Sequence, residues 1–258
     1  MTVKSILVFD VVGAMAHFRR FDTNSSSLTY SFPPRTVISG VIAGILGFKR
    51  DSYYDLFQPE LADIGLSVCT PPRKIMQTIN YMFVKNKSDL NNSKGHTQIP
   101  VEFLLSDVDS NGNYPPLRFR IFFRHEDEEL MKEVKERVIK SEYIYPPYLG
   151  LSELLAKLEW VEEVPASNIE KIETDDVEMI HTVCNMNFIK ERSIQFINNN
   201  SIPLVYRKEK MARSFNADRT IKETASYLYE KSNLIKAIPS IPFLRLKGEK
   251  GTTNLLFM

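Results

Sequence analysis

An α+β fold is what this 258-residue sequence predicts, and three observations predict it. The first half reads strand, helix, strand, strand, helix. A long excursion separates its two middle strands. From residue 177 onward strands dominate. The first order is the split βαβ pattern of ferredoxin-like and RRM-type folds. The expectation is a ferredoxin-like, RRM-type N-terminal domain over residues 1–150 and a smaller β-rich C-terminal domain over 151–258.

Residues 5–12, SILVFDVV, are β-branched, aromatic and nearly continuous in apolar character, as a central buried strand requires. A polar loop follows over 13–30. Phe32-Pro33-Pro34-Arg35-Thr36 then opens a helix, VISGVIAGILGF. Proline suits the first helical turn, where its missing N–H would have no partner anyway. Val37, Ile38, Val41, Ile42, Ile45 and Leu46 form one apolar stripe. Ser39, Gly40, Ala43, Gly44 and Gly47 form a second stripe of small residues. Each helical glycine costs about 1 kcal/mol relative to alanine, which points to something lying close against the helix. Another element of the chain is one candidate, and an RNA backbone or a neighbouring subunit is the other.

Residues 60–70 and 73–84 read as strands parted by Pro71-Pro72. The stretch 85–98 is turn-rich. Strand character resumes over 99–105 and 117–124, around a loop at 107–116. An amphipathic helix is expected over 126–140, with an acidic first turn that suits the helix dipole and with Leu130, Met131, Val134 and Val138 facing inward. Residues 145–163 suggest a turn, a short helix and a strand. Further strands are expected over 177–187, 204–213, 220–229 and 252–258, punctuated by prolines and by the asparagines at 198–200.

Composition is ordinary for a globular protein, 43% apolar and 25% charged. A spanning helix needs about 20 mainly apolar residues, and the longest apolar run, 37–46, is broken by Ser39, Gly40 and Gly44. The N-terminal apolar stretch is split by Asp10 and alternates like a strand, so no targeting segment is expected. Cys69 and Cys184 each sit in an apolar run. They predict buried free thiols and a cytoplasmic location. The net charge of +1 is unevenly spread: residues 126–179 carry 6 Lys/Arg against 16 Asp/Glu, and residues 204–250 carry 11 against 5. A basic face suits phosphate; two solvated faces are the plainer reading. Asp175, Asp176 and Glu178 have no His or Cys at ligand spacing, so no metal is predicted. The phosphate-loop and nucleophile-elbow motifs are absent. No cofactor and no small-molecule substrate is expected.

The segment 16–48, AHFRRFDTNSSSLTYSFPPRTVISGVIAGILGF, runs from an AHFR motif through a Ser/Thr-rich loop and a YxFPPR turn into a glycine-rich helix. This order resembles the opening of the CRISPR-associated RAMP family whose members bind the guide RNA (crRNA) 5′ handle in type I Cascade, most closely the I-B branch. YLGLSE at 148–153 resembles a second block of that family, and KGEKGTT at 247–253 its glycine-rich loop. The resemblance implies a long β-hairpin "thumb" at about 73–116. It also implies contacts with the crRNA 5′ handle, with the Cascade backbone subunit and with the large subunit, in a cytoplasmic ribonucleoprotein of antiviral defence with no catalytic residues of its own.

Individual residues carry the chemistry. Arg19 and Arg20 can pair with phosphate bidentately, and His17 and Phe18 offer stacking faces; alternatively Phe18 is core and the arginines form surface ion pairs. Arg35 and Thr36 stand where a helix N-terminus attracts anions, or simply form its first turn. Ser25, Ser26 and Ser27 can donate to RNA, or are plain loop. Arg73, Lys74, Lys85, Lys87 and Lys94 alternate with Met76, Tyr81, Met82 and Phe83. Such a pattern suits a hairpin that wedges between bases; without the resemblance it is an ordinary hairpin. Arg207, Lys208, Lys210 and Arg213 share a strand, whose alternation lets only part of the set face one ligand. Lys247 and Lys250 flank glycines, which can bring backbone N–H groups to phosphate. The RNA contacts expected are His17, Phe18, Arg19, Arg20, Ser27, Arg35, Thr36, Lys74, Lys85, Lys87, Arg207, Arg213 and Lys247. The alternative is a metal-independent endoribonuclease, as in the I-C branch, with His17 or His125 as general acid or base; His96 and His181 are scattered elsewhere.

Overall fold

The computed structural model describes residues 4–23, 26–109, 111–196 and 205–258. In chain order the first half comprises β1 (Ile6–Gly13), α1 (Arg35–Leu46), β2 (Ala62–Val68), β3 (Pro72–Met82), β4 (His96–Ser106), β5 (Leu117–His125), α2 (Glu128–Lys140) and β6 (Ala156–Val164). β1 is buried along its whole length because it is central. β5 flanks it on one side and β6 on the other, β2 lies outside β5, and every pairing is antiparallel. β3 and β4 form the separate hairpin inserted between β2 and β5.

The two faces of β1 meet different partners. Leu7, Phe9 and Val11 join the main core beneath α1 and α2. Ile6 and Val8 pack on the opposite side against Leu244, Leu246 and Leu255. Asp10 shares that second face and is buried. It is tolerated because Arg120 grips it with Nε at 2.8 Å and Nη2 at 3.1 Å, and Arg118 adds a bond at 2.8 Å; bidentate, charge-assisted bonds offset the lost solvation.

α1 starts after Pro34, with no side-chain cap, and ends at Gly47, whose φ of 81° closes the last turn in the left-handed conformation. α2 is capped by Asp127, whose carboxylate accepts from the Glu129 and Leu130 N–H groups, and buries Leu130, Met131, Val134 and Val138 as expected. The short helix expected within 145–163 is replaced by a tight turn. Pro146 and Pro147 lack donors, Gly150 has a φ of 95°, and the Leu149 N–H instead bonds Leu154 O at 2.9 Å.

The second half comprises β7 (Ile169–Ile172), β8 (Glu178–Ile180), β9 (Cys184–Asn185), β10 (Tyr206–Phe215), β11 (Ile221–Glu230), β12 (Ile235–Ala237), β13 (Phe243–Gly248) and β14 (Gly251–Leu255). They form small sheets of order β10-β11-β9, β12-β8 and β14-β13-β7. The strand expected over 177–187 is split, because Val183 turns away to bond Leu66 O of β2 at 2.7 Å. β6 lies past residue 150 yet pairs with β1, so the first sheet extends beyond the boundary suggested by the sequence. The halves also share one core: Val183, Met211, Tyr227 and Tyr229 pack in the same cluster as Phe9, Ile42 and Phe119. Both cysteines are free; Cys184 is buried as expected, whereas Cys69, just beyond β2, is exposed. Among the described residues, no helix is long and apolar enough to cross a membrane. Ser25, the asparagines at 198–200 and Leu204 fall outside the described residues.

Candidate nucleic-acid interface

The loop after β1 is folded back on itself and on the hairpin. Ala16 pairs with Leu104 of β4, Arg19 with Thr29, and Ser27 with Val101. His17 donates its backbone N–H to Leu149 O at 2.9 Å. Gly150 lies so close that a Cβ there would stand 1.8 Å from His17 O. The two sequence blocks at 16–48 and 148–153 are thus neighbours in space, and glycine is required where they touch.

Between these segments, α1 and the β10–β11 pair runs a groove of about 1160 Å³. Its charged lining consists of Arg19, Arg50 and Arg219, with no carboxylate among the lining residues. Its rings include Phe21, Phe48, Tyr53, Tyr81, Tyr145 and Tyr148. Tyr145 and Tyr148 are about half exposed. Asp51, with a φ of 63°, stands behind the rim: it lies 3.3 Å from Arg50 Nε and 3.9 Å from Arg219 Nη1 and accepts the Tyr54 hydroxyl at 2.5 Å. Exposed ion pairs of this kind are weak, which leaves both guanidinium groups able to exchange a partner.

The expected RNA contacts divide into three groups. Arg19, Ser27 and Thr36 line the groove, and Arg19 is exposed with no carboxylate partner among the described residues. His17 lines it from a buried position. Its Nδ1 lies 2.7 Å from Glu102 O, an atom that only accepts, so Nδ1 carries the proton. Nε2 then accepts from the Ser27 hydroxyl at 2.9 Å. Burial holds the His17 pKa below its usual value, and the ring stays neutral.

The second group already has partners within the chain: Phe18 and Arg35 are buried, which corrects the expectation for them, whereas Arg20, Lys74, Arg213 and Lys247 form part-exposed ion pairs that a ligand can still displace. Phe18 is core, edge-on to Phe119. Arg35 is 1% exposed and donates to Phe57 O, Ala62 O and Arg213 O at 2.8, 2.5 and 3.3 Å; burial pulls it down to about 10, so it remains charged. Arg20 is chelated by Asp22 and lies 3.8 Å from Glu209. Lys74 sits between Glu102 at 3.3 Å and Glu209 at 3.9 Å. Arg213 pairs with Glu223 at 3.0 Å, and Lys247 with Glu170. The glycine-rich turn after Lys247 already holds an anion: the Glu249 N–H donates to Glu162 Oε2 at 2.9 Å.

The third group is exposed but elsewhere. Lys85 lies over the Phe83 ring and Lys87 is at the hairpin tip, beyond Tyr81. Arg207 starts β10, away from the groove. Sequence reasoning missed Arg50, Arg219, Phe21, Tyr53 and Phe215; Phe21 adjoins Arg19-Arg20, Arg50 follows Lys49 and Tyr53 precedes Tyr54, but no local pattern separates a groove residue from a core or surface one. Tyr145 and Tyr148 flank the Pro-Pro pair, and that spacing was the only available signal.

An antiparallel sheet with a central strand, backed by two helices and carrying an inserted hairpin, is a fold this chain shares with a CRISPR-associated protein. The chain belongs to the family described as CRISPR-associated protein (Cas_Cas5), which matches residues 6–217. It shares its fold with the crystal structure of a CRISPR protein from Archaeoglobus fulgidus, at 14% identity and a TM-score of 0.59, over 98% of this chain and 100% of that one. A chain of a CRISPR RNA-guided surveillance complex is also similar, at 11% identity and a TM-score of 0.48, over 91% of each. No curated protein matches the sequence.

Proposed function

We propose that this chain is a non-catalytic RNA-binding subunit of a type I CRISPR Cascade complex. In this reading it caps the crRNA 5′ handle and bridges the backbone and large subunits in the cytoplasm. The observation that carries it is the groove: three arginines, no lining carboxylate and an array of aromatic faces suit a single strand, whose phosphates need cations and whose bases need flat surfaces. Family membership supports the CRISPR setting. The β2-β5-β1-β6 order with α1 and α2 as crossovers supports a ferredoxin-like, RRM-type N-terminal half, and β3–β4 supports the thumb.

The non-catalytic reading is favoured by the histidines. His17 has both ring nitrogens engaged within the chain. In His125, Nε2 faces Leu56 O at 2.8 Å and Nδ1 accepts the Asp127 N–H at 2.9 Å. Neither is positioned to exchange a proton with a 2′-hydroxyl, as general acid–base cleavage requires.

The test uses fluorescein-labelled single-stranded RNA carrying the CRISPR repeat's 5′ handle, titrated at several salt concentrations. Arg19→Ala with Arg219→Ala lowers affinity and reduces the log–log salt slope by about 1.4, roughly 0.7 for each single-strand phosphate no longer neutralised. Lys208→Ala with Lys210→Ala, exposed on β10 but outside the groove, serves as the control. Unchanged affinity in the arginine variant removes the groove from the function. Single-site cutting of the RNA in EDTA moves the assignment to a metal-independent endoribonuclease.

A further inference from the structure

Among the described residues that line the groove, His17 alone changes charge near neutral pH. The other titrating groups of the lining are arginines and tyrosines, which lose their protons far above that range. In the free protein the His17 ring is neutral. Its proton is on Nδ1, facing Glu102 O, and its Nε2 lone pair is committed to the Ser27 hydroxyl. Ser27 itself lines the groove, so one hydroxyl separates the imidazole from whatever occupies that space.

Histidines elsewhere in the fold are held neutral by partners that cannot turn. His125 Nδ1 accepts the Asp127 N–H, and His181 Nδ1 accepts the Asn254 N–H, each at 2.9 Å. A proton on either nitrogen sets donor against donor and breaks the bond. Ser27 differs, because a hydroxyl both donates and accepts. When His17 Nε2 gains a proton, Ser27 Oγ accepts from it and turns its own hydrogen away from the ring. Nδ1 keeps its bond to Glu102 O throughout. His17 therefore takes up a proton with no hydrogen bond lost within the chain, and Ser27 becomes a free donor on the groove wall.

Burial is the main force that keeps the ring neutral in the free protein, and the Arg19 cation adds to it. The Glu102 backbone bond and carboxylate pull the other way. That carboxylate is already shared between the Thr29 N–H at 2.9 Å and Lys74 of β3 at 3.3 Å. Arg20, on the same loop, is turned to Asp22, and the turn over 148–150 brings backbone and Tyr148. A phosphate that engages both Arg19 and Ser27 cancels the repulsion from Arg19 and adds an attraction of its own, and both favour the imidazolium.

We infer that His17 and Ser27 form a proton-linked donor to a phosphate of the bound single strand, so that binding in the groove takes up a proton. The inference rests on the groove being the RNA site. Affinity then rises as pH falls through the interval between the bound and free pKa values of the ring, by at most about tenfold per pH unit for one proton, and is level outside it.

The test is isothermal titration calorimetry with single-stranded RNA carrying the repeat's 5′ handle. Both ends of the RNA are hydroxyl groups, so no terminal phosphate titrates. Two buffers of different ionisation enthalpy at about pH 6.5, the ordinary imidazole value, give the number of protons taken up. Wild type takes up about half a proton or more per RNA bound, and its affinity rises several-fold from about pH 7.5 to about pH 5.5 at constant salt. His17→Gln takes up none, and its affinity is level with pH. Ser27→Ala keeps the ring and removes the hydroxyl, and its uptake falls below half that of wild type. Melting temperatures are measured in parallel; if His17→Gln melts lower, Ser27→Ala at its half-buried position decides alone. Salt-dependent binding without proton uptake in wild type, uptake that survives in a folded His17→Gln, or full uptake in Ser27→Ala overturns the inference. Wild-type binding that is absent or indifferent to salt overturns the RNA reading of the groove itself, a different result from any of these.

Discussion

Arg35 shows how far a residue's role depends on what surrounds it. In sequence it opens a helix beside a proline, a place where a cation and an anion would meet. In the fold it is a buried strut that joins the ends of three segments by donating to Phe57 O, Ala62 O and Arg213 O. Replacing it by leucine leaves those carbonyls without partners in a buried setting, where each orphaned acceptor costs about 1–3 kcal/mol. We expect Arg35→Leu to lower the unfolding free energy by about 3 kcal/mol or more in urea denaturation. Arg35→Lys does not restore it, because a single ammonium cannot reproduce the planar fork. A variant as stable as wild type would show that the carbonyls find other partners. Arg19 has the opposite fate: it is of the same type and lies 16 positions earlier, yet it faces the groove.

Among the elements, the β3–β4 hairpin is the least self-sufficient. Two strands alone are marginally stable in water, and β3 is exposed through most of its outer half. Its base is anchored differently. The Glu102 and Leu104 N–H groups donate to Ser27 O and Ala16 O at 2.9 and 2.8 Å, which adds a third layer of chain. Hydrogen exchange should therefore be slow at Glu102 and Leu104 and fast from Ile79 through Ile99, around the tip. Uniform protection along both strands would contradict this. At the tip, Asp89 gathers the Lys85 and Asn86 N–H groups and the Lys94 ammonium, so part of the basic character of this stretch is spent locally. α1 is the other element whose two stripes diverge: one builds the core, and the other faces open space.

At the scale of the whole molecule, the two halves are joined by β6, by Val183 on the edge of β2, and by a common core. A common core couples the unfolding of the two halves that build it. The fluorescence of the single tryptophan, Trp160 in β6, reports the first sheet, and that of a Trp160→Phe, Tyr206→Trp variant, with its only tryptophan in β10, reports the second half. In urea the two probes should give coincident midpoints. Two separated transitions would show that residues 151–258 hold together independently of the first sheet.

Sequence alone determined the elements whose signal is local. β1 was legible from its unbroken apolar run, α1 from its stripe and proline, α2 from its acidic first turn, and the hairpin and β10–β11 from strand runs between turn residues. These patterns lie within about a dozen consecutive positions and reflect backbone preference and burial. The short strands β7, β12 and β13 were not legible, because three to six residues carry too little pattern and their pairing decides their state. The site was legible as a region and not as a set of residues. The opening loop and the glycine-rich helix do border the groove, but only the tertiary structure decided which cations are free. Lys74 is held by Glu209, and Arg35 by carbonyls as distant as Arg213. Arg219 meets Arg50 across the rim through Asp51. A side chain's charge is set by its own chemistry, but whether that charge is already neutralised depends on partners more than a hundred residues away, and only folding brings them together.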